Sequence, residues 1–167
     1  NEAEAIYPYL MAGLWVEAFE RGIKTTVHRL AYYAPQTFTL YLFNYSNQIY
    51  RINSENIELL DNGTDGVLFL TDSKAEPFKV GKHNADHSPL HDVIISKINF
   101  SEDMISPCER QTIFYLWLLG LFFESIMRTK PIMAFIGVKG SGKTITARKV
   151  GMVLLGSNFN TNPLCND

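Results

Sequence analysis

Eight consecutive residues, Gly137-Val138-Lys139-Gly140-Ser141-Gly142-Lys143-Thr144, satisfy G-x-x-x-x-G-K-[ST] at every specified position. A loop of this composition can curl around a phosphate chain with successive backbone N–H groups pointing inward. Glycine permits both the unusual dihedrals and the close approach that this requires. Lys143 would then reach the β- and γ-phosphates as the catalytic cation, and the Thr144 hydroxyl would meet Mg²⁺. The N-terminus of a following helix adds partial positive charge to the same anion. Gly137 through Ile145 are therefore the candidate ATP site, with Lys143 as its charged residue and Thr144 as its metal contact.

Such a loop works only between a strand and a helix, and both have sequence signals. Ile132-Met133-Ala134-Phe135-Ile136 is an all-apolar run of the kind expected for a strand buried on both faces. Thr144 to Leu155 has helical spacing and stops at Gly156. Upstream, Ser106-Pro107-Cys108-Glu109 combines a capping serine, a first-turn proline and a glutamate at the capping-box position. The helix it starts should run to about Met127, with Pro131 as the stop.

The first half of the chain reads differently. Ile6, Leu10, Leu14 and Ala18, with Trp15 and Phe19 beside them, mark an amphipathic helix over 2–20, interrupted or started near Pro8 and ended by Gly22. From Thr37 the pattern becomes extended: TFTLYLF, a polar break at Asn44 to Asn47, and QIYRIN predict a hairpin. Asn56–Leu60 and Val67–Thr71 extend it around the Asn-Gly and Asp-Gly steps of Asp61 to Gly66, giving a meander of about four strands. Residues 72–92, broken by Pro77, Gly81 and Pro89, read as a linker or exposed loop. The expected architecture is an α+β accessory part over 1–92, a helix plus a small antiparallel β-meander. Over 93–167 follows the start of an α/β P-loop NTPase domain, incomplete in this chain.

Composition limits the function classes. With 167 residues and 46% apolar content the chain can build a real core, and at a formal net charge of -2 it is no polycationic nucleic-acid binder. Yet residues 125–166 hold six Lys or Arg and no acid, whereas 1–124 hold nine basic and sixteen acidic residues. Anion-binding capacity is thus concentrated toward the C-terminal end. The longest apolar run, Ile113 to Phe123, has 11 residues, too few to cross a bilayer, so no membrane partner is expected. Two cysteines, Cys108 and Cys165, make no disulfide framework, and NEAEAIYPYL lacks the pattern of a signal peptide. A reducing cytoplasm is the expected compartment, and the sequence reads as a piece of something longer.

A P-loop enzyme also needs a carboxylate to hold Mg²⁺ or position water. Of the 24 residues after Lys143 only Asp167 is acidic, and Phe159 to Leu164 is the one stretch that could begin a second strand. ATP binding with little or no hydrolysis is therefore expected of these residues alone. Other constellations are weaker. His83, His87 and His91 are spaced as metal ligands on a helix, but Pro89 breaks that helix, and a solvated loop is favoured; His28 has no evident partner. Asp61 to Asp72 partly follows a calcium loop, but Gly63 and Asp72 stand at ligand positions, so a tight turn is favoured. Asn44-Tyr45-Ser46 and Asn62-Gly63-Thr64 match the glycosylation pattern and are read as turns. Phe38, Tyr41, Phe43, Tyr45 and Tyr50 could stack bases on an open sheet face, with core packing the favoured reading.

With the P-loop, its upstream helix and the meander in view, the chain resembles the ATPase region of primase-helicase-like proteins of phages and mobile elements, of the superfamily 3 or AAA+ type. The stretches that carry the resemblance are LYLFNYSNQIYRI, DNGTDGVLFL, ISKINFSEDMISPCERQTIFYLWLLGLFFESIM and KPIMAFIGVKGSGKT, of which the last is motif-grade. It implies ATP hydrolysis coupled to movement on single-stranded DNA by a homo-oligomeric ring. Lys143 and Thr144 match the nucleotide and Mg²⁺ positions, while the Walker B acids, sensor residue and arginine finger have no counterpart in this sequence. The alternative is a regulatory ATP-binding switch that does not act on nucleic acid.

Overall fold

The computed structural model describes residues 2–22, 24–72, 74–81, 88–100, 105–127 and 129–161. In chain order they form α1 (Glu2–Arg21), β1 (Val27–His28), β2 (Ala31–Ala34), β3 (Thr39–Phe43), β4 (Gln48–Ile52), β5 (Ile57–Asp61), β6 (Leu68–Phe69), α2 (Pro89–Val93), α3 (Pro107–Gly120) and α4 (Lys143–Leu155), with short 3₁₀ turns at Thr64–Gly66 and Ile95–Lys97.

The meander is present, with four antiparallel strands in the order β2-β3-β4-β5. Its membership differs from expectation. Ala31–Ala34 supplies the first strand, and the Val67–Thr71 segment leaves the sheet, its Leu68–Phe69 pairing instead in parallel with Val27–His28. The side-chain amide of Asn62 causes this departure: it donates to Phe69 O at 2.9 Å and accepts from Phe69 N at 2.8 Å, occupying the bonds a strand partner would take. Phe69 is thereby laid across one face of the sheet, stacked on Phe43 with ring centroids 5.4 Å apart. Tyr41, Phe43, Ile49, Val67 and Phe69 form the first core, and wholly buried Phe43 and Ile49 each contribute on the order of 2–3 kcal/mol.

The polar break at Asn44–Asn47 is a turn built on a buried amide. Asn44 Oδ1 accepts from Ser46 N (2.8 Å), Ser46 Oγ (2.9 Å) and Gln48 N (3.2 Å), while Tyr45 and Asn47 take positive φ. Asp61 to Gly66 is likewise a turn, with positive φ at Gly63, Asp65 and Gly66. Asp65 is committed there to Tyr41 (2.9 Å) and Arg51 (3.0 Å), and Arg51 also pairs with Glu58 across the strands. Of the aromatics that could have stacked bases, Tyr41, Phe43 and Tyr50 are buried core, and Phe38 stands exposed in the turn before β3 with φ 50°. His28 has a ring partner after all, stacked 4.2 Å from Tyr32, and burial lowers its imidazole despite the charge of Glu124.

Two tyrosines report this packing. Burial, then the hydrogen bond to Asp65, pushes the Tyr41 phenol up to about 12, and burial, then the charge of Asp72, does the same for Tyr45. A raised phenol favours the folded chain while the unfolded one stays protonated. The contribution is therefore intact below pH 10 and is lost as pH rises from 10 toward 12. Tyrosinate absorbance should show two of the eight tyrosines ionising late, with unfolding in the same window, and Tyr41→Phe should remove one of the two. If all eight titrate together near 10, these phenols are not buried as described.

The second core joins Ile94 and Ile95 to Phe114 and Leu118 of α3 and Val150 of α4. The Ser106 capping box forms in full: Ser106 Oγ accepts from Glu109 N at 3.3 Å, and Ser106 N donates to the Glu109 carboxylate at 2.9 Å. The helix stops at Gly120 rather than near Met127. There the chain tightens into 3₁₀-type bonds, Leu121 N to Leu118 O through Phe123 N to Gly120 O, and Met127 folds back onto Gly120. Pro8 does not interrupt α1, which runs through it. Leu10, Leu14, Trp15 and Phe19 of that helix are exposed. Among the described residues no helix is long and apolar enough to cross a membrane.

Residues 72–92 were expected to be open linker, but the part around Glu76–Val80 is packed. Phe78 lies against Tyr45 and Tyr50, and Val80 N donates to Tyr50 Oη at 3.2 Å. Leu90 to Val93 belong to α2.

Candidate nucleotide-binding site

The loop from Gly137 to Gly142 turns directly into α4, and each motif glycine has its own physical reason. Gly140 and Gly142 take φ of 88° and 82°, the left-handed region that side chains avoid. A Cβ on Gly137 would lie 2.8 Å from Ser141 Oγ, so a side chain there would have to turn the serine hydroxyl aside. Gly142 is the N-cap of α4 and has no side chain to satisfy the first-turn N–H groups of Lys143, Thr144 and Ile145, so those donors face the loop. The Lys143 ammonium folds into the same space and donates to Gly137 O and Val138 O, both at 2.7 Å, and to Ser141 Oγ at 3.1 Å. Ser141 N closes the turn onto Val138 O at 3.2 Å. Val138, Lys139 and Thr144 are exposed at its rim.

The structure thus places the sequence-derived residues Gly137 to Ile145 in one loop and the first turn of α4, with the Gly137 and Val138 carbonyls turned toward the Lys143 ammonium. The strand expected before it is not formed. Residues 131–138 have no regular secondary structure, and within the expected run only Met133 and Phe135 pack on the second core, while Ile132 and Ile136 are 94% and 93% exposed. That alternation has the period of extended backbone. A strand buried on both faces needs ladder partners on each side, and among the described residues none pairs with it.

Two features were not found from the sequence. The first is a cleft of about 610 Å³ lined in part by Ser141, Gly142 and Lys143, whose other charged lining residues among those described are Lys97, Arg110 and Lys149. The charge asymmetry pointed to Lys149 but not to Lys97 or Arg110, which lie before residue 125. The second is the far end of α4. Tyr45 Oη donates to Leu154 O at 3.0 Å and Glu76 N to Leu155 O at 2.9 Å, while the Glu76 carboxylate accepts from Ser157 N and Oγ. Those bonds hold the Glu76 carboxyl below its usual range. The last carbonyls of the loop's own helix are therefore satisfied by the β-rich part of the chain.

No protein-family profile, curated protein or solved structure matches this chain. The remaining candidates resolve as follows. His83 and His87 lie outside the described residues, and His91 is exposed beside Asp92 at 3.4 Å. Among the described residues no group of His, Cys, Asp or Glu could hold a metal ion. Asn44 and Asn62 have their amides in turn and strand bonds. Phe159 packs its ring on Gly151 of α4, and residues 162–164 lie outside the described residues.

Proposed function

We propose that residues 137–145 bind ATP with Mg²⁺ and that the chain is the nucleotide-binding portion of a motor ATPase of primase-helicase-like type, serving DNA replication or a mobile element. The observation that carries the nucleotide reading is the loop itself: left-handed φ at Gly140 and Gly142, no side-chain cap on the first turn of α4, and Lys143 folded back onto the loop carbonyls. A phosphate chain would take the place of the Gly137 and Val138 carbonyls as the partner of Lys143, and Thr144, exposed at the start of α4, would meet the metal. Bound Mg²⁺ would screen the phosphate charge. Of the 24 residues after Lys143 only Asp167 is acidic, so the chemistry proposed for these residues alone is binding, with little or no hydrolysis. The motor half of the proposal rests on the resemblance in layout and phrasing.

A second reading, a regulatory ATP switch, is favoured by one observation: the C-terminal end of α4 is tied to the β-rich part by Tyr45 and Glu76. Occupancy at one end of that helix would be felt at the other. The two are separated by ATPase activity of the protein in its longest natural form, with and without single-stranded DNA, beside Lys143→Ala. Stimulation by DNA that the variant lacks establishes the motor. Nucleotide binding indifferent to DNA establishes the switch, and no nucleotide binding removes both.

A further inference from the structure

A second cleft, of about 720 Å³, lies on the sheet at the end where Ala34 pairs with Thr39. Tyr32, Tyr41 and Arg51 line it as one row across β2, β3 and β4. Tyr41 donates to Asp65, and Arg51 is paired with Asp65 and Glu58, so this row is fixed and its cation neutralised. Lys24, Thr25 and Thr26 line the cleft from the segment before β1; all three are exposed, with no side-chain hydrogen bond or ion pair among the described residues. Most of the lining comes from residues 21–54, a stretch that holds Arg21, Lys24, Arg29 and Arg51 and no Asp or Glu, although the first 124 residues are acidic as a whole. Arg21 is paired with Glu17, which leaves Lys24 and Arg29 as the cations of this stretch without a described partner.

Phe38 stands between Thr37 and Thr39, both lining residues, at φ 50° and 77% exposed. A left-handed residue at the end of the β2–β3 loop is a place for Gly or Asn. Phenylalanine bears the steric cost there, and with its ring in solvent it recovers little of that cost by burial within the chain. Such an outlier points to a contact with another molecule. An open flat ring beside a polar cleft with a free ammonium and free hydroxyls complements a chain that alternates bases with phosphates. A peptide would ask for apolar pockets, and the aliphatic side chains lining this cleft among the described residues are those of Ala34 and Val67. We infer that the cleft and Phe38 together bind single-stranded nucleic acid, one base stacking on Phe38 and a phosphate within the cleft meeting Lys24 and the hydroxyls of Thr25 and Thr26. The site shares no residue with the glycine-rich loop, and the inference does not rest on the nucleotide reading of that loop.

The test is fluorescence anisotropy of labelled oligothymidylate and oligouridylate, each about eight nucleotides long, with the full chain and no ATP present. Single strands should bind about tenfold or more tightly than a duplex of the same length, because a paired base cannot offer its face to Phe38. Phe38→Asn should weaken single-strand binding about fivefold or more. Its Tm should stay level or rise, since asparagine suits the backbone there and little packing is lost. Lys24→Gln should make the slope of log K against log salt shallower by about 0.7, the share of one phosphate contact on a single strand. Failure of both oligomers to bind at low salt overturns the proposal. So does binding that neither substitution alters, which would place the strand on another basic surface. A Tm lowered by more than about 2 °C in Phe38→Asn makes the ring structural and overturns its stacking role. Equally tight binding of an oligoglutamate of the same length would identify an acidic-peptide surface and overturn the nucleic-acid assignment. With no ATP in the assay, none of these outcomes bears on the loop.

Discussion

Lys143→Ala is expected to lower ATP affinity by more than about a hundredfold while leaving the β-sheet folded. Lys143 is the only ammonium donating to the inner acceptors of the loop among the described residues, reaching two carbonyls at 2.7 Å. Replacing those acceptors with phosphate oxygens would form charge-assisted bonds worth about 1.5–3 kcal/mol each, and two such bonds correspond to a factor of more than about a hundred. Its side-chain partners among the described residues, Gly137, Val138 and Ser141, all lie within the loop, so the sheet core of Phe43, Ile49 and Phe69 does not depend on it. Calorimetry with Mg-ATP, paired with far-ultraviolet circular dichroism, checks both halves. Unchanged affinity would refute the loop reading, and loss of the β signal would show that the lysine is structural.

The second large effect lies at the other end of the same helix. Gly156 has φ 99° and ψ 175°, a conformation close to glycine-only, and a Cβ there would lie 2.5 Å from Glu76 Cβ. Gly156→Ala therefore meets backbone strain of about 1–3 kcal/mol and must also push away the residue that receives Ser157 and bonds Leu155 O. A total near about 3 kcal/mol is expected, lowering Tm by roughly 6–12 °C for a domain of this size. Differential scanning calorimetry measures it. A shift under about 2 °C would mean that the contact between α4 and the Glu76 segment is not held in this form.

What the sequence disclosed, and what it withheld, follows from how local each cause is. The Ser106 cap, the turns at Asn44 and Asp61–Gly66, the stop at Gly156 and the glycine turn into α4 are all set by neighbours within a few residues, and they were legible. The fate of Leu68–Phe69 depends on one amide, that of Asn62, and β propensity alone cannot say with which strand a segment pairs. Ile132–Ile136 has the composition of a central strand, but a strand also needs neighbours, which lie far away in sequence. Lys97 and Arg110 belong to the cleft only through the packing of the second core. Likewise Tyr45 and Leu154, 109 residues apart, meet because the sheet docks on α4.

The segment between Pro131 and the glycine-rich loop bears on how the protein behaves in solution. Its inward residues, Met133 and Phe135, are anchored, while Ile132 and Ile136 face water almost bare, in a stretch with no charge of its own. Such a segment is a template on which another chain can add as a strand and begin a fibre or an amorphous precipitate. The residues that oppose this flank it: Lys130 and Pro131 before, Lys139 after. Protection of this segment therefore rests on two lysines and a proline, and conditions that screen charge, high salt above all, remove much of it.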